Sequence, residues 1–211
     1  MKAYFGEFLG TAALVFVGCG SVAFHQETYP IQQLGIAIAF GAIVTLMIFS
    51  FRKWSGTHIN PAVTLAFLTL GKISIPKSIG YIVAQCLGAL TGAFLIRMVY
   101  PSNEFLGASL PSGSVTESFI WEYVLTFLLM MVILISVITE RSDKYVAPWT
   151  IGFTVFLEAL LLGPICGASM NPARSLGPAL MSGHVEHLWL YLVATTLGAL
   201  TIAAIWRLAR R

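Results

Sequence analysis

The chain has 211 residues, of which 57% are hydrophobic and only 10% charged, with a net charge of +3. A soluble domain carries about 25% charged residues, so this composition excludes one and reads as an integral membrane protein whose solvent is the lipid bilayer. The small positive excess is scattered along the sequence, without the basic patch that nucleic-acid binding needs, and no nucleic-acid partner is expected.

Apolar stretches at residues 3–24, 31–51, 75–100, 119–139, 146–165 and 188–208 are each long enough to cross a hydrocarbon core of ~30 Å as a helix. The first holds Glu7, runs past twenty residues and lacks a small-x-small site after it, so it is expected to be a retained span and not a cleaved signal peptide. Between the second and third spans lies GTHINPAVT, residues 56–64. Asn60 is a good helix N-cap, and Pro61 fits the first turn because its missing N–H would have no partner there. A helix over 61–70 follows, at 1.5 Å per residue only ~15 Å long, half of a membrane. Between the fifth and sixth spans, GASMNPARSLGP at 167–178 repeats the signal: Asn171, Pro172 and Ala173 match Asn60, Pro61 and Ala62, with a glycine four residues before each Asn. A second half-length helix is expected over 172–181. Two capped surface helices would give the same local signal in a soluble chain, but the composition excludes that setting.

The two motifs belong to an internal duplication. Glu7 and Glu122 each sit in a segment of the same pattern, FGEFLGT and IWEYVLT, and precede the motif Asn by 53 and 49 residues. One domain of residues 1–211 is expected, built from repeats of approximately 1–105 and 115–211. Each repeat holds three spans, and an odd number inverts the second copy. The fold expected is therefore all-α, with six transmembrane helices, two re-entrant half-helices and an inverted repeat of the kind transport proteins use. The Gly/Pro/Ser-rich link at 101–116 reads as the repeat boundary. Small residues crowd the third and sixth spans, Gly88, Ala89, Gly92 and Ala93 in one and Gly198, Ala199, Ala203 and Ala204 in the other, and their expected role is close helix packing.

Cations are asymmetric. Lys2, Arg52, Lys53, Lys72, Lys77, Arg141, Lys144, Arg207, Arg210 and Arg211 fall on one side of the predicted topology, and only Arg97 and Arg174 break the pattern. The positive-inside rule then places both termini in the cytoplasm, with the cell membrane as the expected location. Cys19, Cys86, Cys166 and four scattered histidines show no ligand spacing, so no metal, cofactor or disulfide is expected. Ser169, Ser175 and His58 show no spacing of nucleophile, base and orienting group, and no catalytic residue is assigned.

Irregular backbone at membrane depth is tolerated only where protein buries it or where it lines a wet cavity. Gly56, Thr57 and His58, and likewise Gly167, Ala168 and Ser169, are therefore expected to line a path with their carbonyl oxygens. Where the half-helices meet, two positive dipole ends and the Asn60 and Asn171 amides favour a neutral hydrogen-bonding molecule over a cation.

These segments, together with AFGAIVTLMIFSF, GEFLGT, WEYVLTF and GASMNPARSLGPAL, resemble the aquaporins and glycerol channels of the major intrinsic protein family. The resemblance covers the whole chain. It implies an hourglass with one pore per subunit, usually a homotetramer, passing water or small neutral solutes across the bilayer. By that resemblance Glu7 and Glu122 support the re-entrant loops, and Phe40, Ala159, Ala168 and Arg174 occupy the selectivity filter. Relatives that pass only water usually carry His at the place of Ala159, and glycerol channels pair a Trp with a second aromatic. Small residues at 159 and 168 are similar instead to the nodulin-like plant channels, implying glycerol, urea or neutral metalloid acids as well as water. Glu158, next to the filter, is expected to support the loop around Gly167, and Cys166 to lie near the outer vestibule. Intramembrane glutamates could also serve a proton-coupled carrier, but half-helices abutting through their N-termini suit neutral solutes better.

Overall fold

A computed structural model describes residues 1–138, 143 and 145–210. Arg141, Lys144 and Arg211, three of the cations in the asymmetry, and Thr139, the expected end of the fourth span, lie outside the described residues. Six long apolar helices account for the expected spans: α1 (Lys2–Glu27), α2 (Gln32–Phe51), α4 (Ile75–Val99), α5 (Val115–Ile138), α6 (Ala147–Cys166) and α8 (Leu188–Ala209). Two short ones lie between them, α3 (Pro61–Thr69) and α7 (Pro172–Ser182). No strand occurs among the described residues.

Two features go beyond the hydropathy reading. Helix α5 starts four residues early because Ser114 caps it, its Oγ accepting the Glu117 N–H at 3.4 Å and its carbonyl the Ser118 N–H at 3.0 Å. The Ser-x-x-Glu spacing that signals such a cap was present in the sequence at 114–117. Helix α1 contains a π-helical turn, Val15–Cys19, which hydropathy cannot register.

The packing is that of an inverted pair. Helix α1 lies along α4 as α5 lies along α8, α3 leans on α8 as α7 leans on α4, and α2 crosses α6 at the centre. Exchanging each helix of the first half for its counterpart in the second maps α1–α4 onto α5–α8, α3–α8 onto α7–α4, and α2–α6 onto itself. Close approach is made possible by equivalent glycines: a Cβ at Gly88 would collide with the Phe8 carbonyl, and one at Gly198 with the Tyr123 carbonyl. Outside, large side chains such as Leu34, Ile38 and Leu46 on α2 and Ile79, Val83 and Leu87 on α4 are exposed, which costs little when lipid replaces water.

Candidate functional site

The loops entering α3 and α7 have the same unusual backbone. Positive φ occurs at Gly56, Thr57 and Ile59 (+86°, +56° and +43°), and at the equivalent Gly167, Ala168 and Met170 (+87°, +39° and +54°). Left-handed backbone at a non-glycine residue costs of order 1–3 kcal/mol, most at a β-branched one such as Ile59, and persists only where the surroundings enforce it.

Two buried carboxylates enforce it. Glu7 accepts the N–H groups of His58 (2.9 Å) and Ile59 (2.6 Å) and the Gln85 side-chain amide (2.7 Å). Glu122 accepts those of Ser169 (2.7 Å) and Met170 (2.9 Å). Two tyrosines that the sequence reading passed over do the same work one residue before each glycine. Tyr81 donates its hydroxyl to the Ser55 carbonyl at 2.7 Å and Tyr191 to that of Cys166 at 2.9 Å. His58 is a packed imidazole, stacked on Phe67 at 4.7 Å with Nδ1 3.1 Å from Thr64 Oγ1.

Each loop ends in a capping asparagine. Asn60 Oδ1 accepts from the Ala62 N–H at 2.9 Å, Asn171 Oδ1 from that of Ala173 at 3.0 Å, and Pro61 and Pro172 open the helices. The amide nitrogens reach across the molecule: Asn60 Nδ2 donates to the Met170 carbonyl and Asn171 Nδ2 to the Ile59 carbonyl, both at 2.8 Å. The half-helices therefore face each other N-terminus to N-terminus. Each amide NH2 has two donors, so one fixes the opposite loop and one remains.

Both asparagines border a cavity of about 780 Å³. The cavity begins among Arg52, Lys53 and Lys72, passes Gly56, Thr57, His58 and Asn60 and then Ala168, Ser169 and Asn171, and reaches Phe40 and Arg174. Arg174 is 4% exposed; its Nη1 donates to the Gly107 carbonyl (3.0 Å) and Ser109 Oγ (2.6 Å), while Nε has no partner. Its guanidinium lies 5.0 Å from the centre of the Phe40 ring, the distance of a cation–π contact. The same ring also rests on Gly18, within the π turn of α1, where a Cβ would collide with it. Phe40, Ala168 and Arg174 thus share the cavity wall. Ala159 and Gly167 are not on it; the Ala159 carbonyl accepts the Gln33 side-chain amide at 2.6 Å.

Two expectations fail on geometry. Both carboxylate oxygens of Glu158 lack a hydrogen-bond partner, so it does not hold the loop around Gly167, a task Glu122 and Tyr191 perform. Cys166 is fully buried at the end of α6, its thiol donating to the Leu162 carbonyl at 3.4 Å, and does not border the cavity. Arg97, one of the two exceptions to the charge asymmetry, donates to the carbonyls of Pro101 (3.1 Å) and Asn103 (2.8 Å) and so pins the link between the halves.

The arrangement has counterparts among known proteins. The family model described as Major intrinsic protein matches residues 1–206. The chain is 42% identical to Aquaporin NIP3-1 of Arabidopsis thaliana over 97% of its own length and 66% of that protein's, and 37% identical to Nodulin-26 of Glycine max over 97% and 76%. The chain thus spans about two thirds to three quarters of the length of these two plant relatives. Its backbone superposes on the X-ray structure of the aquaglyceroporin from Plasmodium falciparum with a TM-score of 0.87, covering 98% of this chain and 95% of that one at 24% identity, a likeness of fold. On the match over residues 1–206 and these relatives, the chain belongs to the major intrinsic protein family.

Proposed function

We propose that this chain is a passive transmembrane channel for water and for small uncharged solutes such as glycerol, urea or neutral metalloid acids. It performs no chemistry on them. The observation that carries the reading is the junction of α3 and α7, where two helix N-termini and Asn60 and Asn171 meet at the cavity and no carboxylate is among the described lining residues. A neutral molecule that can accept hydrogen bonds is stabilised there; a cation meets two positive dipole ends. Asn60-Pro61-Ala62 and Asn171-Pro172-Ala173 are the pore motifs on this reading, and Glu7 and Glu122 hold the loops whose residues Gly56, Thr57, His58, Ala168 and Ser169 line the path. Phe40, Ala168 and Arg174 form the filter on this reading, with Ala159, which the cavity wall does not include, as its fourth position. The repeats run over approximately 1–105 and 115–211 of a single domain. Both termini face the cytoplasm of a cell membrane, in keeping with the cation asymmetry, and the assembly is a homotetramer with one pore per subunit, as the family resemblance implies.

The solute class rests on residue 159. An alanine methyl leaves open the space that an imidazole would fill, so Ala159→His is expected to suppress glycerol and urea uptake by proteoliposomes while water flux persists. Equal suppression of both, or of neither, would remove Ala159 from the filter. A wild type that swells in water gradients but excludes glycerol, urea and boric acid would leave a channel for water alone.

A further inference from the structure

We infer that Ser109, in the link between the two halves, is a positioning residue of the filter, holding Arg174 through a one-way chain of serine hydroxyls that ends on Asn171. The inference rests on the reading of Arg174 as a filter residue.

The link is fixed at several points before it reaches Ser109. Arg97 holds its start, Asn103 bonds Gln26 at 3.0 Å and caps the Leu106 N–H at 2.7 Å, Leu106 is fully buried, and the Ser112 N–H donates to the Ile165 carbonyl at 3.1 Å. A segment held this way can act as a fixed support. From it, Ser109 Oγ stands 2.6 Å from Arg174 Nη1 and 2.8 Å from Ser175 Oγ; Ser175 Oγ stands 2.5 Å from Ser169 Oγ, and Ser169 Oγ lies 3.0 Å from the Asn171 carbonyl. All three serines are buried.

Donor bookkeeping sets the direction. A guanidinium only donates and a carbonyl only accepts. Ser109 Oγ accepts from Arg174, so its own proton goes to Ser175, that of Ser175 to Ser169, and that of Ser169 to the Asn171 carbonyl. No other assignment among these partners gives every hydroxyl proton an acceptor. Two consequences follow for permeation. The chain ties the guanidinium to the residue that caps α7, so the filter and the half-helix junction move as one body. It also cannot relay protons beside the pore, because neither end can reverse its role. Gly107 supplies a second acceptor for Nη1, but a single bond leaves the guanidinium free to turn about it; the Ser109 hydroxyl fixes its plane over Phe40.

The test compares Ser109→Ala, Ser109→Cys and Ser109→Thr with the wild type and Arg174→Val in proteoliposomes, reading monovalent-cation conductance against water flux. Ser109→Cys keeps the packing but offers a weak acceptor, so it carries the test if the alanine variant fails to fold. Alanine and cysteine are expected to raise cation leak about tenfold, the least factor that loss of a hydrogen bond to a charged group carries, and threonine to restore the wild-type value. If Arg174→Val leaks while Ser109→Ala and Ser109→Cys stay tight, or if threonine leaks like alanine, Ser109 does not position the filter. If Arg174→Val itself stays tight, the filter reading fails and this inference with it.

Discussion

Replacing Arg174 by valine is expected to admit protons or monovalent cations into a pore that still passes water. The guanidinium is buried against the cavity, held on one side by Gly107 and Ser109 and on the other by the Phe40 ring, with Nε unpartnered. A fixed charge 5 Å from a passing cation, at an effective dielectric near 20, repels it by about 3 kcal/mol, roughly a hundredfold in flux. Valine removes that repulsion and the donors a solute oxygen would use, yet leaves the cavity open. Water needs only the width, so its flux should persist. Electrical recordings on the purified variant decide the matter: a cation conductance equal to the wild type would show that exclusion arises elsewhere, at the half-helix junction.

The second large effect is on the fold. In Glu122→Ala the N–H groups of Ser169 and Met170 lose their only side-chain acceptor in a buried site. An unsatisfied buried donor costs about 1–3 kcal/mol, so two cost about 2–6 kcal/mol, a large part of a typical stability of 5–15 kcal/mol. The left-handed backbone at Ala168 and Met170 would relax once released, and the carbonyls of that loop would turn. The expected outcome is a fall in melting temperature on the order of 10 °C in detergent, with water flux lost in whatever folded fraction remains. Glu122→Gln retains one acceptor oxygen and should fall between. A variant with unchanged melting temperature and unchanged flux would mean that the loop holds its shape through Tyr191 and the asparagine exchange alone.

Much of this molecule could be read before it was seen, because its strongest features are local. Asn-Pro at a helix start and apolar runs of membrane length each declare their consequence within a few residues, whereas the role of Glu7 and Glu122, whose partners lie about fifty residues away, came only from the family resemblance. Contacts between distant segments do not. Nothing near Tyr81 or Tyr191 in sequence says that their hydroxyls hold loops 26 and 25 residues away; only the equivalence of the two halves, applied to α4 and α8, would have paired them. Gly18 reads as one more small residue until the π turn sets it beneath Phe40. The link at 101–116 reads only as the boundary between the repeats, although Gly107 and Ser109 are the partners of Arg174. Glu158 shows the opposite failure: one residue from Ala159 in the chain, it turns about 100° away on the helix and neither carboxylate oxygen finds a hydrogen-bond partner.

The central claim, a passive conduit for neutral molecules, is tested most directly by the wild type in proteoliposomes followed by stopped-flow light scattering. Water efflux should rise linearly with the osmotic gradient, with a low temperature dependence, and an inward glycerol or urea gradient should produce re-swelling without saturation and without any proton gradient. Solute flux that saturates, or that depends on an imposed proton gradient, would contradict the account and leave a coupled carrier in its place.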